Sequence, residues 1–330
     1  MTTQMNTTAA LTETATKIAS GDRRALARAI TLVESARDDH RATALALLDT
    51  LGTSKQALRI GLSGTPGVGK STFIESFGLM LTGLGKKVAV LAVDPSSARS
   101  GGSILGDKTR MDFLARDPNA FIRPSPSQTQ LGGVARRTRE AVALCEAAGY
   151  DVVLIETVGV GQSETVVAQM SDLFVLLLAP AGGDELQGVK RGIMEIADMV
   201  LVNKADGELK AQATRTCADY AGALRLLRKR PQDPDGFPMA RTVSALESEG
   251  LTEAWDQMQT LMQWRQDNGV WDKTRADQAR HWFQEEVRLQ LMAQLTADAG
   301  LRDRLTQMEG QVVAGTMSPA AAAAHVLRQS

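Results

Sequence analysis

Gly64-Thr65-Pro66-Gly67-Val68-Gly69-Lys70-Ser71 carries the spacing G-x-x-x-x-G-K-[ST] of a phosphate-binding loop. In such a loop the glycines let consecutive backbone N–H groups point inward at phosphate oxygens, and the lysine adds a point charge near the β and γ phosphates. Lys70 is therefore a candidate catalytic as well as binding residue. Ser71 supplies the hydroxyl that Mg²⁺ needs, and Thr72 follows in the helix that should carry the loop. The apolar, β-capable run Leu58–Ser63 precedes it, and apolar residues at helical spacing follow from Ser71 to Leu81. Strand, loop and helix are in register for a nucleotide site.

The base is addressed by a second motif. Asn203-Lys204-Ala205-Asp206 ends a buried apolar run with N-K-x-D. A carboxylate at Asp206 accepts from both the ring N–H and the exocyclic amine of guanine, a donor pair that adenine lacks. Asn203 would brace the loop, and the aliphatic stem of Lys204 would cover the base plane. Ser244-Ala245-Leu246, further on, reads either as a turn leading a helix or as a place where a backbone N–H meets the guanine oxygen. GTP is expected over ATP.

Acids complete the set. Asp151–Thr157 is an apolar strand whose Glu156 precedes Gly159 by the interval at which P-loop GTPases carry a Mg²⁺-linked acid and a γ-phosphate-contacting glycine. Glu in place of Asp, and Val160 where a Ras-like enzyme has its water-orienting glutamine, are departures; Gln162 lies further on. They predict slow intrinsic GTP hydrolysis, accelerated by a partner. Asp94, at the end of another buried strand, and Asp107, in the glycine-rich run Gly101–Arg110, could approach Mg²⁺ or an attacking water, or could equally cap loops. Gly182–Lys190 has paired glycines and the charges of Asp184 and Lys190; it reads as a switch or as a plain loop with an acidic helix start.

The elements that must hold these residues are legible too. Mixed three-and-four spacing from Ala9 to about Leu51 predicts helices after a polar, mobile start, with Ser20-Gly21-Asp22 breaking the first and capping the second. From Leu58 to about Ala245 strands alternate with helices, predicting an α/β fold with a mostly parallel sheet and its ligands at the carboxyl edge. The strands are 60–63, 87–94, 120–124, 151–157, 172–179, 199–203 and 240–243. Beyond Gly250 the pattern is helical, with Phe283, Val287, Leu291 and Leu295 on one stripe.

At 330 residues, with 43% hydrophobic and 23% charged residues, the chain has the make-up of a soluble globular protein. Its net charge of −1 gives no whole-chain attraction to nucleic acid or an anionic membrane. Cys145 and Cys217 lie far apart in predicted helices and read as buried small hydrophobes rather than a disulfide. Without a signal-like start or an apolar run of ~20 residues, a cytoplasmic location is expected. His40, His281 and His325 are scattered and there is no cysteine cluster, which argues against direct metal delivery.

Gly64–Thr72, Val93-Asp94-Pro95-Ser96-Ser97, Gly101–Met111, Arg123-Pro124-Ser125-Pro126, Glu156–Glu164, Gly182–Lys190 and Asn203–Asp206 together resemble the MeaB/ArgK group, the GTPase chaperones of methylmalonyl-CoA mutase. The resemblance spans nearly the whole chain. It implies a P-loop GTPase using GTP/GDP and Mg²⁺, docked on an adenosylcobalamin-dependent acyl-CoA mutase, gating cofactor loading and protecting the mutase. It also implies that 182–190 acts as an additional switch and that the C-terminal helices form a homodimer. The organisation expected is a helical extension over 1–55, a GTPase domain over 56–250 and a dimerisation region over 251–330. Two alternatives stay open, a kinase linked to basic amino-acid transport and a non-hydrolysing, GTP-dependent scaffold.

Overall fold

A computed structural model of the chain describes residues 2–35, 37–52, 55–93, 111–124, 131–157, 163–180, 191–227, 230 and 233–327. Three helices lead: α1 (Thr2–Ala19), α2 (Arg23–Glu34) and α3 (Asp38–Leu51). Asp22 caps α2, its carboxylate accepting from the N–H groups of Arg24 and Ala25 at 2.8 and 3.0 Å. The polar start, read as mobile, is helical from Thr2. Its threonines do not compete with the helix, because Thr14 and Thr16 return their hydroxyls to the carbonyls of Ala10 and Thr12.

Seven strands follow among the described residues: β1 (Leu58–Ser63), β2 (Val88–Val93), β3 (Ala120–Pro124), β4 (Val152–Thr157), β5 (Leu173–Leu178), β6 (Met199–Val202) and β7 (Met239–Thr242). They form one sheet in the order β3-β2-β4-β1-β5-β6-β7, and every strand pair is parallel. The crossovers contain α4 (Lys70–Gly83), α5 (Asp112–Arg116), α6 (Leu131–Ala147), α7 (Ser163–Met170), α8 (Arg191–Ile196) and α9 (Lys210–Leu226). All six residues of β5 are buried, as in a parallel strand with both faces covered.

The chain divides into two compact units, Met1–Thr274 and Arg275–Ser330. In the first, Leu173, Val175 and Leu177 of β5 share a core with Phe73, Phe77 and Leu81 of α4. The next helix, α10 (Leu251–Asp267), adds Trp255, Met258 and Leu261 to that same core. The first helix beyond Gly250 thus belongs structurally with the sheet. The chain continues as α11 (Val270–Ala297), α12 (Ala299–Val313) and α13 (Pro319–Leu327). In the second unit Met308 of α12 packs with Ala322 and Val326 of α13, while Phe283, Val287 and Leu291 of α11 are exposed. Among the described residues no helix is long and apolar enough to cross a membrane.

Candidate functional site

The phosphate-loop sequence leaves the carboxyl end of β1, the strand at the middle of the sheet, and enters α4. Gly69 occupies the left-handed region at φ 88°, and a Cβ there would stand 2.7 Å from the Asn203 amide nitrogen. A Cβ on Gly64 would strike the Leu177 carbonyl oxygen of β5. Only glycine fits at either place. The ammonium of Lys70 donates to the carbonyls of Gly64 at 2.7 Å and Thr65 at 3.2 Å, so it lies on the loop itself. Burial lowers its pKa, against the pull of the Glu156 and Glu164 carboxylates.

Asn203 ties this loop to the other two motif regions. Its side-chain amide donates to the Val68 carbonyl at 2.9 Å, and its side-chain oxygen accepts from the Ala245 N–H at 3.0 Å. Lys204 sits at φ 58°, a left-handed conformation that costs a non-glycine residue about 1–2 kcal/mol, and its ammonium donates to the Gly67 carbonyl at 2.7 Å. Ser244 donates its hydroxyl to the Asp206 carboxylate and accepts from the Glu247 N–H at 3.0 Å. Within Ser244-Ala245-Leu246 the first two amides are committed, to Glu249 and Asn203, whereas the Leu246 N–H has no partner among the described residues.

A model of the family described as methylmalonyl Co-A mutase-associated GTPase MeaB matches residues 26–300. The chain belongs to the MeaB family. A mouse relative named methylmalonic aciduria type A homolog, mitochondrial, is 48% identical over 324 residues, covering 95% of this chain and 78% of that protein. The GTPase ArgK of Escherichia coli is 45% identical over 312 residues, 94% of each chain. A crystal structure titled LAO/AO transport system kinase shares 38% identity, covers 96% of both chains and superposes with a TM-score of 0.76. The P-loop GTPase fold and the MeaB assignment therefore agree.

In this MeaB-family chain Glu156 lies on β4 opposite Leu62 of β1, two positions before the phosphate loop begins. Ser71 and Thr72 open α4, Ser71 half-buried and Thr72 exposed. Asp94, Asp107, Gly159 and Lys190 lie outside the described residues, as do Val160 and Gln162. Three contacts bearing on the site are not apparent in the motifs. Ser76 donates to the Ala245 carbonyl at 2.6 Å, Thr157 donates to the Ser63 hydroxyl at 3.1 Å, and Glu164 is buried in the first turn of α7 with its charge acting on Lys70. Ser76 lies on α4 beyond the phosphate motif, and no local pattern marks a helix residue that braces a distant loop.

Proposed function

We propose that this protein is a Mg²⁺-dependent GTPase with a slow intrinsic rate that works as a partner-read switch on an adenosylcobalamin-dependent acyl-CoA mutase. The observation that carries the nucleotide reading is the double use of Asn203, which holds the phosphate loop and the Ser244–Leu246 loop at fixed separation. Asp206, steadied by Ser244, accepts from the guanine ring N–H and amine. The Leu246 N–H, uncommitted within the triplet, faces the guanine oxygen, and Lys70 the β and γ phosphates. Binding both ends of one nucleotide against a braced pair of loops is positioning catalysis.

Mg²⁺ fits the donors present, because the Ser71 hydroxyl and the Glu156 carboxylate are the hard oxygens that ion prefers. When bound it neutralises charge between the β and γ phosphates. Asp94 and Asp107 join this set in the proposal.

The mutase partner is supported by the family description and by the mouse relative's name. The exposed Phe283, Val287 and Leu291 support homodimerisation through the C-terminal helices. Competition binding tests the base: GTP should outcompete ATP by at least about a hundredfold, and Asp206→Asn should erase most of that margin. Single-turnover hydrolysis with and without a purified acyl-CoA mutase tests the switch. No hydrolysis in either condition would leave a scaffold; hydrolysis that ignores every mutase would remove the partner. The solved relative's title supplies the second reading, a kinase, which predicts labelled γ-phosphate on a protein or amino acid instead of in solution.

A further inference from the structure

At the carboxyl ends of β2 and β3, α6 carries guanidinium groups that the nucleotide site does not use. Arg123 of β3 is paired with Glu34 of α2, and Arg41 of α3 with Glu140 of α6 at 2.5 Å. Arg136 and Arg137, also on α6, have no ion-pair partner among the described residues. The Nε of each is buried without a hydrogen bond. Burial depresses the Arg137 pKa, and the nearby Arg136 charge depresses it further, against the pull of Glu140 and Glu34. Leaving a buried charged donor unpaired is costly, and folded proteins resolve such groups with an ordered water or ion.

A cleft opens to solvent at this place. It is narrow, with room inside for about one water, widens only at its mouth, and is lined by Glu34, Val93, Arg123, Arg137, Thr138 and Ala141. Glu34 is occupied by Arg123, and the Thr138 hydroxyl donates to the Val134 carbonyl at 2.9 Å. The uncommitted hydrogen-bonding capacity of Arg137 is therefore donor-only and cationic, beside the apolar wall of Leu91 and Val93. The phosphate loop hangs from β1, which β4 separates from β2. The cleft is a different place on the same sheet edge.

We infer that the mouth of this cleft binds a small oxyanion, a carboxylate or phosphate, seated on the Arg137 guanidinium with Arg136 adding charge. A planar guanidinium matches the two oxygens of such a group, and its neutralisation relieves the Arg136–Arg137 repulsion. The inference does not depend on which nucleotide the other site takes.

The test uses the full chain saturated with GDP and Mg²⁺, so that the phosphate loop is filled, with occupancy confirmed on the purified sample. Inorganic phosphate and acetate are titrated separately against sodium chloride at matched ionic strength. At least one of the two should raise the melting temperature saturably, by about 2–4 °C at ten times its apparent Kd. A response to phosphate alone assigns phosphate, and to acetate alone a carboxylate. Arg137→Met should abolish the rise, and Arg137→Lys, which keeps charge but not the fork, should weaken binding at least about tenfold. Crystals of the unmutated GDP complex soaked in selenate should show an anomalous peak beside Arg137, a measurement that stands even if the variants fail to fold. Equal effects of chloride, an undiminished rise in Arg137→Met, or, where phosphate gives the rise, selenate crystals without that peak would each overturn the site.

Discussion

The Asn203 side-chain amide donates to the Val68 carbonyl at 2.9 Å across 135 positions of sequence. Asn203 is almost fully buried, so both of its hydrogen bonds are made away from water. Asn203→Ala leaves the Val68 carbonyl and the Ala245 N–H without their partner, at a cost of about 2–4 kcal/mol. GTP affinity should fall at least about tenfold and the melting temperature by several degrees, measured by fluorescent-nucleotide titration and calorimetry. Asn203→Asp keeps the acceptor for Ala245 but sets a carboxylate against the Val68 carbonyl, so it should be the worse variant at neutral pH. Equal affinity in wild type and both variants would refute the bracing role.

The two loop glycines separate backbone strain from packing. Gly67 and Gly69 both have left-handed φ, at 86° and 88°, yet a Cβ on Gly67 meets nothing within 4 Å whereas one on Gly69 meets the Asn203 amide. Gly67→Ala should cost about 1–2 kcal/mol of strain. Gly69→Ala adds displacement of Asn203 and should lose substantially more stability and nucleotide affinity. Denaturant unfolding of the pair, with GTP binding alongside, measures the difference.

Both motifs were legible because each is local, a glycine-punctuated turn after an apolar strand and a polar quartet after another. The seven strands were legible because buried parallel strands read as uninterrupted apolar runs, β5 most plainly. What joins the motifs was not. That Asn203 reaches Val68, or that Ser76 of α4 holds Ala245, depends on β1 and β6 flanking β5 in the sheet, an adjacency that sequence order does not contain. The destination of α10 was hidden for a similar reason. A helical stripe containing Trp255 and Met258 shows which face is apolar but not which surface will cover it, and here that surface is the α4 side of the sheet core. That Arg41 pairs with Glu140 and Arg123 with Glu34 is likewise a tertiary fact.

Arg265 of α10 pins that helix to the sheet. It makes ion pairs with Asp198 at 2.7 Å and Asp233 at 2.5 Å, and donates to the Asp172 carbonyl at 2.7 Å. Burial alone would lower its pKa; the two carboxylates overturn that and raise it. Arg265→Met leaves Asp198 and Asp233 with Arg230, which pairs with them at 2.9 and 2.7 Å, and should destabilise by up to about 3 kcal/mol, with GTP affinity of the folded fraction unchanged because the cluster does not touch the nucleotide motifs. The double variant Arg230→Met/Arg265→Met strands both acids and should cost more, and replacing Asp198 and Asp233 with apolar residues as well should recover part of that loss, as read by urea midpoint. A quadruple variant no more stable than the double one would sink this account.

Cys145 and Tyr150 predict how stability responds to base. Burial pushes the Cys145 thiol far above its ordinary range, with the Glu146 charge adding to the shift, and burial likewise pushes the Tyr150 hydroxyl up to about 12. Both groups stay neutral in the folded chain at pH values where the unfolded chain ionises them, near 8.5 for the thiol and 10 for the phenol. A folded-state pKa raised in this way gives stability that is complete below the unfolded pKa and is lost as pH climbs above it. The unfolding free energy should therefore decline from about pH 8.5 upward, and Cys145→Ala should flatten the first part of that decline while lowering the plateau through lost packing. Native protein at pH 8 should alkylate at Cys145 only as fast as it unfolds. Cys217, half-buried in α9 and raised mainly by burial, should react sooner but more slowly than a free thiol. Mass spectrometry of both peptides over a time course with N-ethylmaleimide reads the order directly, and rapid labelling of Cys145 before unfolding would contradict its burial.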